Sequence, residues 1–371
     1  MRLGVNGWRV HGSTGVPRYL KSIIVHWTAD LLARGGHEVT VYSSKPKAPN
    51  EPWVSDGIRY QVLSSDLPML VWETAVLGPR VRDDVLWCPG FTRPLYTRSK
   101  VVVTTHDLGA WLYPDLYGVR GRLFDGHWHK WSARHAALVI TDNENTKEDI
   151  VRHYRVSRDR IRVIPLAPAA PFRLAADPAQ ASATRASLFG LDVPFFLNVG
   201  TQSKRRNIPR LVAGFARFKR ETRHPHRLVL IGKGNPDADI AALSRSFGIA
   251  DEVIHFEFVD DPRLNEIYNA AGAFVMAATY DATSLTVLEA QVTGTPVLIP
   301  DVPGLRAVSG DHALVYGTVS EDAIAAALTR IVEDSNLREH LLTAGLRHAQ
   351  GLSWEKTARS IFDVLIEAAA A

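Results

Sequence analysis

The chain has a single cysteine, Cys88, in 371 residues. No internal disulfide can form, which fits a reducing compartment. Cys88 lies in the apolar run VLWCPG, where a thiol more readily fills a core than attacks a substrate. No run of 18 or more apolar residues occurs, so no membrane-spanning helix is expected. The first ten residues, MRLGVNGWRV, lack the basic start and apolar core of a secretory signal. There is no internal repeat and no low-complexity tract, and His, Asp and Cys are nowhere grouped at metal-ligand spacing. These absences exclude a disulfide-stapled, a membrane-spanning or a repeat-built protein. They lead to the expectation of a cytoplasmic enzyme, peripheral at most to the inner face of a membrane, that holds no metal.

The length exceeds what one hydrophobic core usually organises, so two domains are expected. Charge divides unevenly between them. Residues 1–175 hold 24 Lys+Arg against 16 Asp+Glu, net +8, and the remainder holds 19 against 23, net −4, matching the overall +4. A basic first half could face anionic lipid headgroups, a phosphorylated acceptor or nucleic acid, or it could be a solvated surface with a skewed balance.

Short apolar runs alternate with longer helical patterns, the signature of parallel sheets with crossover helices. The first half predicts strands at 2–6, 38–43, 58–63, 84–88, 100–105, 137–141 and 161–165. A helix is expected from Pro17 to a stop at Gly35 and Gly36. Segment 166–190, rich in Ala and Pro, reads as a linker followed by a short helix. The alternation then restarts with PFFLNVG, RLVLIG, VIHFEF, AFVMAA and PVLIP as strands. The expected fold is α/β with two doubly wound units, whose ligands sit outside the carboxyl ends of the strands.

Chemistry is therefore sought in the loops that leave strands. In G-T-Q-S-K-R-R-N, residues 200–207, the cations Lys204, Arg205 and Arg206 stand between a strand and a helix start, where backbone N–H groups and the dipole favour an anion. Arginine suits phosphate because its fork donates two parallel hydrogen bonds. In T-Y-D-A-T-S-L-T-V-L-E-A, residues 279–290, Asp281 precedes a helix and Glu289 follows about two turns inside it, so two acceptors for sugar or ribose hydroxyls flank one helix mouth. First-turn donors near Leu285, Thr286 and Val287 would face a phosphate or sugar oxygen. His106 and Asp107 end the apolar strand VVVTT, where an imidazole could bind a hydroxyl or do acid–base work. Gly12 and Gly15 in HGSTGVPR allow close backbone approach to a ligand. Gly232 and Gly234 follow RLVLI, but the third glycine of a dinucleotide fingerprint is missing. Trp111 and Tyr113 could stack on a sugar. The stretch from Tyr117 to His135 is basic and amphipathic and could lie on a membrane or pack as an ordinary helix.

In this order the segments resemble the retaining glycosyltransferases of family 4, also described as glycosyl transferases group 1, over nearly the whole chain and most closely from 197 to 300. The family string G-T-x-x-P-R-K-N is answered by Gly200 to Asn207, and the E-x7-E motif by Asp281 to Glu289, then Gly294, Pro296 and Val297. The resemblance implies a GT-B fold: two Rossmann-like domains facing across a cleft, with 1–172 binding the acceptor, 190–352 binding the nucleotide sugar, and a helix at 353–371 returning to the first. It assigns Arg205, Arg206 and Gly15 to the donor diphosphate, where the helix-start donors of Thr286 and Val287 are also expected, Glu289 to the ribose, and His106 and Asp281 to the transferred sugar as the catalytic pair. Residues 141–150 resemble the S-E-x-S-K-x-D-I segment, and 353–358 the start of the returning helix. Two departures bear on sugar choice: Asp281 replaces the usual Glu, and Ala282 to Leu285 replace a glycine-rich G-F-G-L. Glu257 also stands where a glycine near the base is common. The implied reaction moves a hexose or deoxyhexose from a nucleotide diphosphate sugar to a glycan, lipid-linked or small-molecule acceptor with retention and without a cofactor or metal. Partners expected are the nucleotide sugar, the acceptor and an anionic membrane surface, with no nucleic acid. Competing expectations are a nucleotide-sugar epimerase or hydrolase of the same fold and an inactive nucleotide-sugar-binding protein, with a dinucleotide oxidoreductase last.

Overall fold

The computed structural model describes residues 1–12, 15–28, 32, 36–47, 57–234 and 239–370. They form two compact units: Met1–Leu166 with Ser353–Ala371, and Ala167–Leu352.

The first unit is built on seven strands, β1 (Arg2–Asn6), β2 (Glu38–Ser43), β3 (Ile58–Val62), β4 (Val85–Cys88), β5 (Lys100–Thr104), β6 (Leu138–Thr141) and β7 (Ile161–Val163). They lie in the order β3-β2-β1-β4-β5-β6-β7, and every neighbour pair is parallel. β4 and β6 are buried at each residue, as strands covered by helices on both faces must be. β3, at the edge, carries Arg59 and Gln61 and is largely exposed. The core joins Leu86, Val101, Val103, Val139 and Ile150 with the Cys88 thiol. Burial, reinforced by the nearby Glu73, pushes that thiol up, which removes it as a nucleophile at neutral pH.

The second unit has β8 (Phe195–Val199), β9 (Arg227–Ile231), β10 (Val253–Phe256), β11 (Ala273–Val275), β12 (Val297–Pro300) and β13 (Leu314–Tyr316). Their order, β10-β9-β8-β11-β12-β13, repeats the first six positions of the other sheet, again all parallel. Two apolar layers cover the sheet, one around Phe196, Phe215 and Leu328, the other around Leu197, Tyr268 and Val287.

Two expectations are corrected here. Residues 167–172, expected in the first domain, belong to the second unit, because Ala169 and Phe172 are buried in its core and Phe172 packs edge-on to Tyr268. The helix expected to run from Pro17 to Gly36 is helical over Val16–Ile24 and turns at Val25 to Trp27; its expected stop at Gly35 falls outside the described residues. The turn lets Trp27 donate its Nε1–H to Ala358 O at 3.0 Å and pack on Phe362.

Both partners of Trp27 belong to the last helix, Trp354–Ala370. Its buried stripe, Trp354, Ala358, Ile361, Leu365 and Ala368, recurs at three- and four-residue steps, one face of a helix. Burial of Ile361, Phe362 and Leu365 contributes about 1.5–3 kcal/mol each. Thr357 Oγ1 donates to Pro165 O at 2.8 Å, and Arg162 pairs with Glu367.

Candidate functional site

In the second sheet the strand order reverses between β8 and β11, the place where such sheets bind ligands. The loop after β8 turns at Gly200, whose φ of 134° excludes a side chain and whose would-be Cβ faces the Arg206 guanidinium at 3.3 Å. Gly232, after β9, packs on the same turn: a Cβ there would meet Gly200 O at 2.2 Å. Lys204–Arg206 then make one tight turn, and Asn207, left-handed at φ 52°, starts the helix Ile208–Thr222.

That turn is tied to the loop after β11. Thr279 N–H donates to Arg205 O at 3.0 Å. Arg205 Nη1 lies 3.1 Å from Asp281 Oδ1, and Arg206 Nη2 lies 3.4 Å from Asp281 Oδ2. Asp281 is 3% exposed. Burial presses the Arg206 guanidinium downward, Arg205 adds to this, and the Asp281 charge opposes both. Two guanidiniums around one carboxylate leave a net positive, desolvated cluster, the electrostatics an anion of higher charge would exploit.

Helix Leu285–Val292 opens beside this cluster, from Ser284. Ser284 Oγ is spent on Thr286 Oγ1 at 2.8 Å and does not cap the helix, so the N–H groups of Leu285 and Thr286 have no intrahelical acceptor. Val287 was expected to offer a third donor; its N–H instead closes on Ser284 O at 3.1 Å. Glu289, about one turn in, is 1% exposed, and Tyr268 Oη donates to its Oε2 at 3.2 Å.

The remaining two sequence-derived residues belong to the first unit. Gly15, with φ 61°, opens helix Val16–Ile24. Tyr19 of that helix meets the His106 ring edge-on, centroids 4.6 Å apart. His106 Nδ1 lies 2.9 Å from Asp142 Oδ2, and Nε2 lies 3.0 Å from Pro89 O. A carboxylate oxygen at one ring nitrogen and a carbonyl oxygen at the other favour the doubly protonated, cationic ring. Burial alone would lower the imidazole pKa, but the charge and hydrogen bond of Asp142, with Pro89 O and Asp107, carry it upward. This geometry favours a fixed positive charge at His106 over acid–base turnover.

Asp142 and Tyr268 were not singled out from sequence. Asp142 follows β6, the neighbour of β5, whose exit loop carries His106, so pairing the polar residues that follow adjacent strands would have found it. Trp111 is engaged in packing, with Lys130 Nζ 4.0 Å above its ring and His127 against its edge; Tyr113 is 44% exposed. Among the described residues no group of three His, Cys, Asp or Glu could hold a metal ion, and no helix is long and apolar enough to cross a membrane.

Comparison with known proteins agrees with this architecture. Residues 181–347 match the family described as Glycosyl transferases group 1, and residues 22–167 match Glycosyltransferase Family 4. The fold is similar to sucrose-phosphate synthase from Thermosynechococcus elongatus (TM-score 0.76, 20% identity, 99% of this chain and 98% of that one). It is also similar to Anabaena HepE in complex with UDP and glucose (TM-score 0.75, 13% identity, 99% and 100%). These likenesses define the class: an α/β protein of the GT-B glycosyltransferase fold. In sequence the chain is 28% identical over 298 residues to O-antigen chain mannosyltransferase B of Escherichia coli, covering 78% of this chain and 77% of that protein. It is 30% identical over 244 residues to D-inositol 3-phosphate glycosyltransferase of Xylanimonas cellulosilytica, covering 62% and 57%. The chain belongs to glycosyltransferase family 4.

Proposed function

We propose that the chain transfers a hexose or deoxyhexose from a nucleotide diphosphate sugar to a glycan, lipid-linked or small-molecule acceptor, with retention of configuration and without a metal ion. The observation that carries the reading is the cluster of Arg205, Arg206 and Asp281 beside the start of helix Leu285–Val292. A diphosphate outcompetes one carboxylate for the two guanidiniums, which frees Asp281 to accept from hydroxyls of the transferred sugar. Glu289, oriented by Tyr268, accepts from the ribose. The bond from the anomeric carbon to the diphosphate breaks, the bond to the acceptor oxygen forms on the same face, and the acceptor proton passes to the departing phosphate oxygen. Arg205, Arg206 and the open helix amides stabilise the charge that develops there, the work a metal ion does in other transferases. His106 and Gly15 keep the roles that the resemblance assigns them, at the transferred sugar and the phosphates.

Names of similar proteins support a hexose donor: HepE is described with UDP-glucose, and the Escherichia coli relative is a mannosyltransferase. The net +8 of residues 1–175 and the exposed Val119, Leu123 and Phe124 support contact with an anionic membrane; the protein should then sediment with vesicles containing phosphatidylglycerol and not with neutral ones.

The test is a panel. UDP, GDP and dTDP are screened by thermal shift, where a ligand at 100 times its Kd adds about 2.7 kcal/mol. Their hexoses are then paired with methyl and dodecyl hexosides and with inositol phosphate, in the presence of EDTA. One nucleotide should bind, and its hexose should yield a glycoside with retained anomeric configuration by NMR. If no nucleoside diphosphate shifts the melting transition, the reading is wrong. Rapid consumption of the donor without any acceptor favours the epimerase or hydrolase instead.

A further inference from the structure

The carboxyl end of the first sheet holds an ionisable group that the mechanism above does not use. Glu73 is 1% exposed and stands where helix Met69–Trp72 passes into a wider turn, Glu73–Leu77, closed by Gly78 N–H on Glu73 O. Pro79 follows with no N–H to return to Ala75, and a Cβ on Gly78 would come within 2.1 Å of Tyr96 O. Such wider turns recur at functional places.

The side chain is wired to two strand ends. Glu73 Oε1 accepts from Asn6 Nδ2 at 2.8 Å and from Thr92 Oγ1 at 2.9 Å. Asn6 closes β1, and its Oδ1 accepts the Trp8 N–H at 3.2 Å. Thr92 lies in the loop that leaves β4. β1 and β4 are the neighbours at which this sheet reverses its strand order, the position where doubly wound sheets receive ligands. The other oxygen, Oε2, is buried and has no hydrogen-bond partner among the described residues. The charged or titratable groups facing the carboxyl are Arg9, from the turn after β1, and Cys88, from β4. Arg9 lies along Gly90, where a Cβ would come within 2.8 Å of its Cδ and Nε. An unpaired buried carboxylate oxygen destabilises a fold, and a Gln at position 73 would hold the same two donors without the buried charge.

We propose that Glu73 is a positioning residue for the acceptor: its carboxylate fixes Asn6, Thr92 and the Arg9 guanidinium at the ends of β1 and β4 in the arrangement that receives a hydroxyl-bearing acceptor. The proposal rests on the reading of the chain as a glycosyltransferase with its acceptor on the first unit. Burial pushes the carboxyl up to about 7 against the pull of Thr92, Asn6 and Arg9. Only the ionised form attracts Arg9, so acceptor binding strengthens as pH rises through neutrality, and nucleotide binding on the second unit does not follow it.

The experiment uses the nucleotide hexose and hexoside that turn over in the panel. In Glu73→Gln, which keeps the acceptor for Asn6 and Thr92 and loses the charge, KM for the hexoside rises on the order of tenfold. The acid limb of kcat/KM flattens, while the thermal shift given by the nucleoside diphosphate stays as in the wild type. Thr92→Val removes a donor that favours the ionised form, so the limb moves to higher pH. A folded Glu73→Gln protein with wild-type KM and limb overturns the proposal; if that variant does not fold, an unmoved limb in Thr92→Val does so. Failure of every hexose pair sinks the transferase reading separately. Glu73 is then judged by fluorotryptophan NMR of the wild type, with the Trp8 signal assigned through Trp8→Phe: titration across neutrality supports the coupling, and a flat signal overturns it.

Discussion

The two sheets share one strand order over six positions, yet the carboxyl ends of their strands are built on opposite principles. In the second unit, cations from the loop after β8 and an acid from the loop after β11 meet as ion pairs, beside a backbone hydrogen bond from Thr279 to Arg205. An arriving anion can exchange with that acid, so the contacts are temporary by construction. In the first unit, His106 and Glu73 are held by hydrogen bonds to strand-end neighbours, an arrangement that sets orientation and does not exchange. One topology thus offers the same place twice, and the side chains decide whether it captures charge or holds a shape.

The comparison is open to attack at three points. Arg206→Ala strikes the exchanging cluster and should lower kcat/KM by about 10²–10³, the scale of losing one strong donor to a developing oxyanion; steady-state rates equal to wild type would detach Arg206 from the leaving group. Glu73→Gln tests what the fixed end costs. A buried carboxyl raised from 4.5 to about 7 lowers stability progressively as pH rises between those values, by roughly 3 kcal/mol in full. Urea unfolding should therefore show the variant gaining on the wild type from acid to alkaline pH, and an equal difference at both ends would contradict the burial argument. Asp142→Asn should cost about 1.5–3 kcal/mol, the value of a hydrogen bond to a charged group. The His106 pKa lies above its ordinary 6.5, so this loss is complete below 6.5 and fades as pH climbs through the raised value. A loss independent of pH would mean that His106 is not cationic in the folded protein.

Much of this was legible in the sequence because strands buried on both faces are continuous apolar runs. Arg205, Arg206 and Asp281 could be singled out because each lies in a loop that leaves such a run. Strand β13, Leu314–Tyr316, was missed: it is as short as β11, but lacks the apolar residues Met276 to Ala278 that lengthen the β11 run. Asp142 lies 36 positions from His106, Glu73 lies 67 from Asn6, and Tyr268 lies 21 from Glu289. Such pairs arise only when separate elements pack, and no local pattern announces them. Val287 illustrates the converse. Its position in the helix was read correctly, but a tight first turn uses its N–H internally, a detail set by backbone geometry.

The first unit is interrupted. Its chain departs after Leu166 and resumes at Ser353, and the resumed part contributes Phe362 and the Ala358 carbonyl that satisfy Trp27. A ribosome therefore delivers the closing helix only after the whole intervening unit has emerged. During synthesis the later-made unit can finish before the earlier-begun one, which waits with part of its interior uncovered. Nascent chains released before Trp354 should need chaperones that the full-length product does not.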